Sequence, residues 1–282
     1  MVSGAEGPGD PVRFAFSTLG VPGMPVADVL RLASDTGYQG VELRAHPEEP
    51  VHPQLGRQER SAVRQQFAQA GVRILTVAGY PRVAAARDAG GEAELTQELA
   101  ELVLLAADLG APYVRVFPGG GDRPPTEADA DAVRRLAAVA PLAADRGVRV
   151  LLETHDSHRT GAAAARVLDR VGHPRIGALW DVLHTWLGGE RPADSHASLA
   201  PHLGYVQVKD VASAADTTPL ALGAGRLPLA DALAALGYGS GPRGWLCWEY
   251  EKRWYPGAAA LPALLAPGRA HLQRLLGAGP AR

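Results

Sequence analysis

The sequence contains almost no cysteine and has almost no net charge. The 282 residues include one cysteine, Cys247, so no disulfide can form within the chain. The 28 Lys and Arg residues almost balance the 30 Asp and Glu residues, leaving a formal charge of −2. Since nucleic-acid binding is usually accompanied by a basic stripe, we expect no nucleic-acid partner. The cysteine usage favours a cytoplasmic location.

Long hydrophobic runs are also absent. No apolar run reaches the roughly 18 residues that a membrane helix needs, so we expect no membrane partner. Residues 1–11 are rich in Gly and Pro and lack the charged and apolar regions of a signal peptide. We predict a disordered tail at 1–11, one catalytic domain at 12–276 and a short tail at 277–282. The Ala-, Arg-, Gly- and Pro-rich composition is typical of a high-GC bacterial genome.

Short β-rich runs alternate with longer Ala- and Leu-rich runs along the whole chain. Eight runs are predicted strands: Arg13–Ser17, Gln39–Leu43, Arg73–Val77, Tyr113–Phe117, Arg149–Glu153, Ile176–Trp180, Tyr205–Lys209 and Trp245–Tyr250. Glycine stands just past several predicted helices, as at Gly37, Gly71 and Gly110, where helices commonly end. Eight strand–helix units without a linker predict a closed (β/α)₈ TIM barrel in a single domain.

Polar residues interrupt the apolar pattern of these strands near their carboxyl ends. Side chains alternate across a strand, so Arg115 lies on the face opposite its valine neighbours, and Gln207 and Lys209 share a face opposite Val206 and Val208. The apolar faces are expected to pack against the helices. The polar faces then point into the barrel, at the end where barrel active sites form.

Four of these positions predict a metal site: Glu153, Asp181, Gln207 and Glu249. Neighbouring barrel strands can bring their oxygen atoms to one point, where three carboxylates would repel one another. A divalent cation removes that repulsion and supplies a catalytic charge. The alternative is that these acids form salt bridges at the rim of the barrel.

Several segments resemble the sugar isomerase/epimerase superfamily of xylose-isomerase-like barrels, which includes endonuclease-IV-like (AP endonuclease family 2-like) folds. The matching segments are Gly37-Tyr38-Gln39-Gly40-Val41-Glu42, Leu152-Glu153-Thr154-His155, Trp180-Asp181-Val182-Leu183-His184, Val206-Gln207-Val208-Lys209-Asp210, Leu222-Gly223-Ala224-Gly225 and Trp248-Glu249-Tyr250-Glu251. Each segment is weak alone. Their order and barrel spacing are specific for the superfamily but not for any one activity.

The resemblance implies a metal held by Glu153, Asp181, Gln207 and Glu249. Gln207 departs from the common pattern, which has histidine there, so either the metal is lost or the Gln207 amide oxygen binds it. Members that resemble 3-dehydroshikimate dehydratase use glutamine at this position, which favours a retained metal. An oxygen-only ligand set favours Mn²⁺ or Mg²⁺ over Zn²⁺ or Co²⁺. Ala224 also departs from the family, where Glu is common.

The resemblance further implies that Glu153 and Glu249 move a proton between carbons and that His184 contacts substrate or moves protons. We expect four more residues to bind substrate: Glu42, Arg115, His155 and Lys209. Glu42 would act as an orienting group inside the site. The alternatives are an ion pair of Arg115 with Glu42 or Glu153, an ion pair of Lys209 with Asp210 or Glu42, and a merely solvated His155.

The leading functional hypothesis is an isomerase or epimerase acting on a keto-sugar or cyclitol by proton transfer next to a carbonyl. A lyase that dehydrates a keto-acid or keto-inositol is the alternative. The residues Gln207 and His184 favour this alternative. A metal-free binding barrel is a third hypothesis. An endonuclease would need more metal-binding histidines and a basic face. The sequence leaves the substrate and a homo-oligomeric state open.

Overall fold

The computed structural model describes residues 12–237 and 244–277 and contains a closed barrel of eight parallel strands. Each strand pairs with its neighbours in chain order, and the first strand pairs with the last. The strands are β1 (Arg13–Ser17), β2 (Gly40–Arg44), β3 (Arg73–Arg82), β4 (Tyr113–Phe117), β5 (Arg149–Glu153), β6 (Ile176–Asp181), β7 (Leu203–Val208) and β8 (Trp245–Trp248). The predicted (β/α)₈ TIM barrel is confirmed.

Helices surround the barrel and connect its strands. They are α1 (Val26–Thr36), α2 (Arg57–Ala70), α3 (Ala89–Leu109), α4 (Pro125–Asp145), α5 (Gly161–Val171), α6 (Val182–Leu187), α7 (Pro192–Leu199), α8 (Leu229–Ala235) and α9 (Pro262–Gly277). The glycines after α1, α2 and α3 adopt the left-handed backbone conformation that ends a helix. No helix within the described ranges has the length and apolar character to cross a membrane.

Two apolar clusters occupy the two faces of the barrel wall. The valines of β4 and β7 belong to the large outer cluster, together with the inward faces of the helices. A smaller cluster fills the barrel interior and contains Leu151, Leu179, Tyr205 and Cys247. Glu153, Asp181, Gln207 and Glu249 each follow one of these interior residues by two positions, so they continue the interior face toward the carboxyl end of the barrel.

The bounds of β1, β4 and β5 agree with the predicted strands. The other strands differ from their predicted bounds at one or both ends. β3 extends to Arg82, five residues beyond its predicted end. Two short helices, α6 and α7, occupy the connection between β6 and β7. The predicted tail at 1–11 and residues 278–282 lie outside the described ranges, and Gly277 is the last residue of α9.

Candidate metal centre

Three carboxylates converge at the carboxyl end of the barrel. Glu153 ends β5, Asp181 ends β6 and Glu249 follows β8; all three are buried. One oxygen from each lies within 4.8 Å of the others. Burying even one unpaired carboxylate is costly, so a cluster of three requires positive charge.

Two basic side chains supply part of that charge. The Lys209 ammonium lies 2.7 Å from Asp181 Oδ2 and 2.9 Å from Glu251 Oε1, and it also contacts Glu249 Oε2. The Arg115 guanidinium lies 3.2 Å from Glu153 Oε2 and stacks over the Phe117 ring. Counting Glu42 and Glu251, five acidic side chains surround these two cations, an excess of three negative charges when all are ionised. A divalent ion would offset most of that excess.

Gln207 is held in one orientation by Glu42. The Gln207 amide nitrogen donates to both carboxylate oxygens of Glu42, at 3.0 Å each, and lies 3.2 Å from Glu249 Oε1. The Tyr205 hydroxyl donates to Glu42 from the other side. Because an ionised carboxylate only accepts hydrogen bonds, it favours the orientation in which the amide nitrogen faces Glu42. The Gln207 oxygen therefore faces away from Glu42.

The oxygen atoms fit a hard divalent cation. Within residues 12–237 and 244–277, four buried side-chain oxygens make no hydrogen bond: Thr76 Oγ1 and, from the proposed ligands, Glu153 Oε2, Asp181 Oδ2 and Gln207 Oε1. The Glu153 and Asp181 oxygens lie near Arg115 and Lys209 as ion pairs without hydrogen-bond geometry. Carboxylate and amide oxygens are the ligands that Mg²⁺ and Mn²⁺ prefer. Glu153, Asp181, Gln207 and Glu249 are thus the residues that would hold the ion.

Glu153 couples this centre to pH. Burial, opposed by the nearby Arg115 guanidinium, raises the pKa of Glu153 to about 8. Burial tends to raise the pKa of Glu249 as well, but Lys209 and Arg115 outweigh it and lower that pKa. At pH 7 the metal-free centre therefore holds a proton on Glu153 that a cation must displace.

We expect divalent-metal binding to release about one proton at pH 7, and metal affinity to rise about tenfold per pH unit from pH 5.5 to 7.5. The affinity rises with pH because Glu153 is protonated below its raised pKa and ionised above it. Calorimetric titration with Mn²⁺ in buffers of different ionisation enthalpy measures the released proton. The Glu153→Gln variant is the control. It should bind Mn²⁺ weakly and without that proton, and equal release from both proteins would contradict the assignment.

Two histidines stand beside the carboxylates. His184 lies in the first turn of α6, with its Nε2 3.7 Å from Asp181 Oδ2, and this nitrogen makes no hydrogen bond to any described residue. Its ring faces that of His155, with centroids 3.9 Å apart. Burial and the neighbouring His155 lower the pKa of His184, so it is neutral at pH 7 and can accept a proton.

His155 has a carboxylate partner that fixes its ring. Its Nδ1 lies 3.0 Å from Asp156 Oδ2. Burial alone would lower the pKa of His155, but the bond to Asp156 and the charges of Glu153, Asp156 and Asp181 together raise it. Asp156 has a φ of 31°, the one positive value among the described residues other than glycine. Its other oxygen accepts from Gly119 N at 2.9 Å, which anchors the strained turn.

A cavity of about 310 Å³ opens above these groups. Glu153, Glu249 and Glu251 border its acidic side, with His155 and His184 next to them. The remaining lining is Leu19, Tyr80, Arg82, Arg115, Phe117, Asp156, Leu183, Leu187, Thr217 and Trp254. Its volume suits a compact small molecule.

The structure places the expected substrate contacts differently. Arg115 and His155 line the cavity, whereas Glu42 and Lys209 do not. Glu42 is fully buried and bonds Gln207, and Lys209 contacts the carboxylates instead of Asp210 or Glu42. The substrate contacts predicted for Glu42 and Lys209 therefore do not match their positions. Both are placed to organise the centre.

Several cavity residues carry no signal in the sequence. Tyr80 and Arg82 lie on the part of β3 that extends beyond the predicted strand. Asp156 has a positive φ, which the residues around it in the sequence do not predict. Glu251 could be found by period two, because it lies on the same face as Glu249.

Comparison with known proteins places the chain in a family. A 3-dehydroshikimate dehydratase of Bacillus anthracis is 26% identical over 195 residues, covering 66% of this chain and 67% of that protein. The probable 3-DHS dehydratase AsbF of Bacillus anthracis has a similar fold, with a TM-score of 0.77 at 18% identity over 93% of this chain and 99% of that one.

Two other solved structures share the fold at low identity. The IolI protein with a bound zinc atom has a TM-score of 0.81 at 17% identity, covering 96% of this chain and 100% of that one. A D-psicose 3-epimerase has a TM-score of 0.79 at 16% identity, covering 94% of this chain and 100% of that one. The sequence profile of the xylose isomerase-like TIM barrel family matches residues 30–275. The chain therefore belongs to the family of xylose isomerase-like TIM barrels.

Proposed function

We propose that this protein is a divalent-metal-dependent enzyme that removes a proton next to a carbonyl group of a small polyhydroxylated substrate. The observation that carries the proposal is the convergence of Glu153, Asp181 and Glu249 at the floor of a cavity, with His184 beside them. When bound, the ion would polarise the carbonyl and lower the pKa of the adjacent C–H bond.

The chain's own groups can then move the proton. The neutral His184 imidazole borders the cavity, and its Nε2 has no hydrogen-bond partner in the described part of the chain. It is therefore free to accept a proton from carbon. Glu153 and His155, on the same side of the cavity, have raised pKa values and can return a proton to a departing or developing oxygen near neutral pH.

Loss of water after this first step is the reaction that we favour, on a cyclic keto-acid. Arg82 is exposed and lines the cavity, and it forms no salt bridge with a carboxylate among the described residues. It is available to bind an anionic group of the substrate. Glutamine at position 207 and the dehydratase relative of Bacillus anthracis, at 26% identity, support the same assignment. The reaction class is then a lyase, with Mn²⁺ or Mg²⁺ as the metal.

Epimerisation or isomerisation of a keto-sugar or cyclitol is the second candidate. Glu153 and Glu249 both border the cavity and belong to opposite sides of the ligand set, on β5 and after β8. Two carboxylates in this arrangement can remove a proton and return it at another face or carbon. The D-psicose 3-epimerase with the same fold supports this alternative.

Proton exchange distinguishes the two candidates. The Mn²⁺-loaded protein is incubated in D₂O with 3-dehydroshikimate, inososes and free ketoses, and the products are followed by NMR and ultraviolet absorbance. We expect a new enone or aromatic absorbance from a keto-acid. Deuterium on the α-carbon without loss of water would assign an epimerase or isomerase instead. A lack of exchange on every substrate, with metal bound, would contradict the proposed function.

A further inference from the structure

A second group of possible metal ligands lies beside the oxygen cluster. One ligand atom each of Glu153, His155 and His184 lies within 4.8 Å of the other two. Glu153 is buried, whereas the side chains of His155 and His184 are 31% and 16% exposed and border the cavity. An ion entering the cavity can therefore reach both imidazoles. We propose that Glu153, His155 and His184 form a second cation site, which shares Glu153 with the oxygen cluster.

His155 is prepared to bind a metal by its neighbour. The hydrogen bond between Nδ1 and Asp156 Oδ2, 3.0 Å long, fixes the ring and leaves Nε2 as the nitrogen with a free lone pair. A carboxylate on the second nitrogen is the usual support of a metal-binding histidine, because it sets the tautomer and raises the basicity of the ligand. The φ of 31° at Asp156 indicates that the chain maintains this contact despite backbone strain.

His184 offers the second nitrogen. Its Nε2 is buried and makes no hydrogen bond within the described ranges, and the 3.7 Å to Asp181 Oδ2 is too long for one. A buried polar atom without a protein partner usually binds a water molecule or an ion, or has a catalytic role. Here the neighbouring imidazole and carboxylate point to an ion.

The donor chemistry distinguishes this site from the oxygen cluster. Two imidazole nitrogens and one carboxylate oxygen leave one position open, which is the ligand set of many catalytic zinc sites. Imidazole suits Zn²⁺ and Co²⁺, whereas Mg²⁺ prefers oxygen ligands. The second site is therefore zinc-selective, and Mg²⁺ would leave it empty.

Zinc at this site would block the reaction, an effect that rests on the proposed function. His184 could no longer accept a proton while its Nε2 held the ion, and the ion would occupy part of the cavity floor. We expect excess Zn²⁺ to inhibit the Mn²⁺-loaded enzyme in competition with substrate. Equal concentrations of Mg²⁺ should leave turnover unchanged.

The binding test needs no substrate. Protein labelled with ¹⁵N at histidine is dialysed against micromolar Zn²⁺, bound zinc is measured by elemental analysis, and ring nitrogens are followed by NMR. Wild type should bind two zinc ions, with metal-dependent shifts of the His155 and His184 nitrogens. His155→Gln and His184→Gln should each bind one. Asp156→Asn should weaken the second ion about 10–100-fold, because it loses the supporting carboxylate.

His202→Gln is the matched control. His202 directly precedes β7, at the opposite end of the barrel, and bonds Asp169. This variant should still bind two ions. Bound zinc without shifts of both the His155 and the His184 ring nitrogens would overturn the second site alone, and so would His155→Gln and His184→Gln variants that bind as much zinc as wild type. Binding of no divalent ion would overturn the proposed function as well, whereas two ions with no α-proton exchange would overturn only the proposed function.

Discussion

The Glu249→Gln variant is expected to lose turnover by about 10²–10⁴-fold and to bind Mn²⁺ much more weakly than wild type. Glu249 supplies one of the three converging carboxylates and borders the cavity. The amide of glutamine keeps the shape of the side chain but carries no charge. It is therefore a weaker metal ligand than the carboxylate and cannot act as a general acid or base. Calorimetry measures the metal affinity, and deuterium exchange on the active substrate measures the proton transfer.

Glu251→Gln is the control for this variant. Glu249 and Glu251 both contact the Lys209 ammonium, so each substitution removes one of its partners. Glu251 does not belong to the converging carboxylate group. We expect Glu251→Gln to change Mn²⁺ affinity by less than about tenfold, as for a screened, partly exposed charge. Similar losses in the two variants would mean that both carboxylates serve only to balance Lys209.

Period-two alternation was enough to predict most of the centre. Glu153, Asp181 and Gln207 end or nearly end strands whose preceding residues fill the barrel interior, so their direction follows from the strand itself. Strand order then brings them together, because Asp181 and Gln207 are direct partners in adjacent strands. These features depend on local pattern and on closure of the barrel.

The partners of Glu42 and Lys209 depend on contacts between distant parts of the chain, which no local sequence pattern predicts. The pairing of β2 with β3 shifts register between Val41 and Glu42, and Glu42 bonds Tyr205 and Gln207 across the barrel. Period two alone predicts neither this register shift nor the choice of Tyr205 and Gln207 as the partners of Glu42. The three partners of Lys209 likewise come from two distant segments of the chain, one with Asp181 and one with Glu249 and Glu251.

Lys209 provides a test of whether the carboxylates form a metal centre or a network of ion pairs. Its ammonium is buried and contacts Asp181, Glu249 and Glu251. Lys209→Met removes this cation, so the three carboxylates lose the positive charge next to them. In the absence of divalent metal, we expect the free energy of unfolding to fall by about 3–5 kcal/mol, the usual cost of breaking a buried ion pair. Urea denaturation followed by tryptophan fluorescence, with a chelator present, measures this loss.

The loss should depend on pH in a defined direction. Burial raises the pKa of Asp181 even with Lys209 in place, and removing the ammonium raises it further. A carboxyl group whose pKa is raised in the folded state binds its proton at low pH and destabilises the fold as the pH rises through that pKa. Lys209→Met should therefore be closest to wild type near pH 5 and least stable near pH 8. Lys252→Met, which removes an ammonium bonded to backbone carbonyls, should show no such slope.

Saturating Mn²⁺ should restore most of the stability that Lys209→Met loses. A divalent ion bound by Glu153, Asp181 and Glu249 compensates the same negative charge as the ammonium, and it stabilises the folded state by mass action. The increase in stability on adding Mn²⁺ should thus be larger for Lys209→Met than for wild type, in which the ion shares the carboxylates with Lys209. An equal loss with and without Mn²⁺ would contradict the metal centre, because the carboxylates would then depend on the ammonium alone.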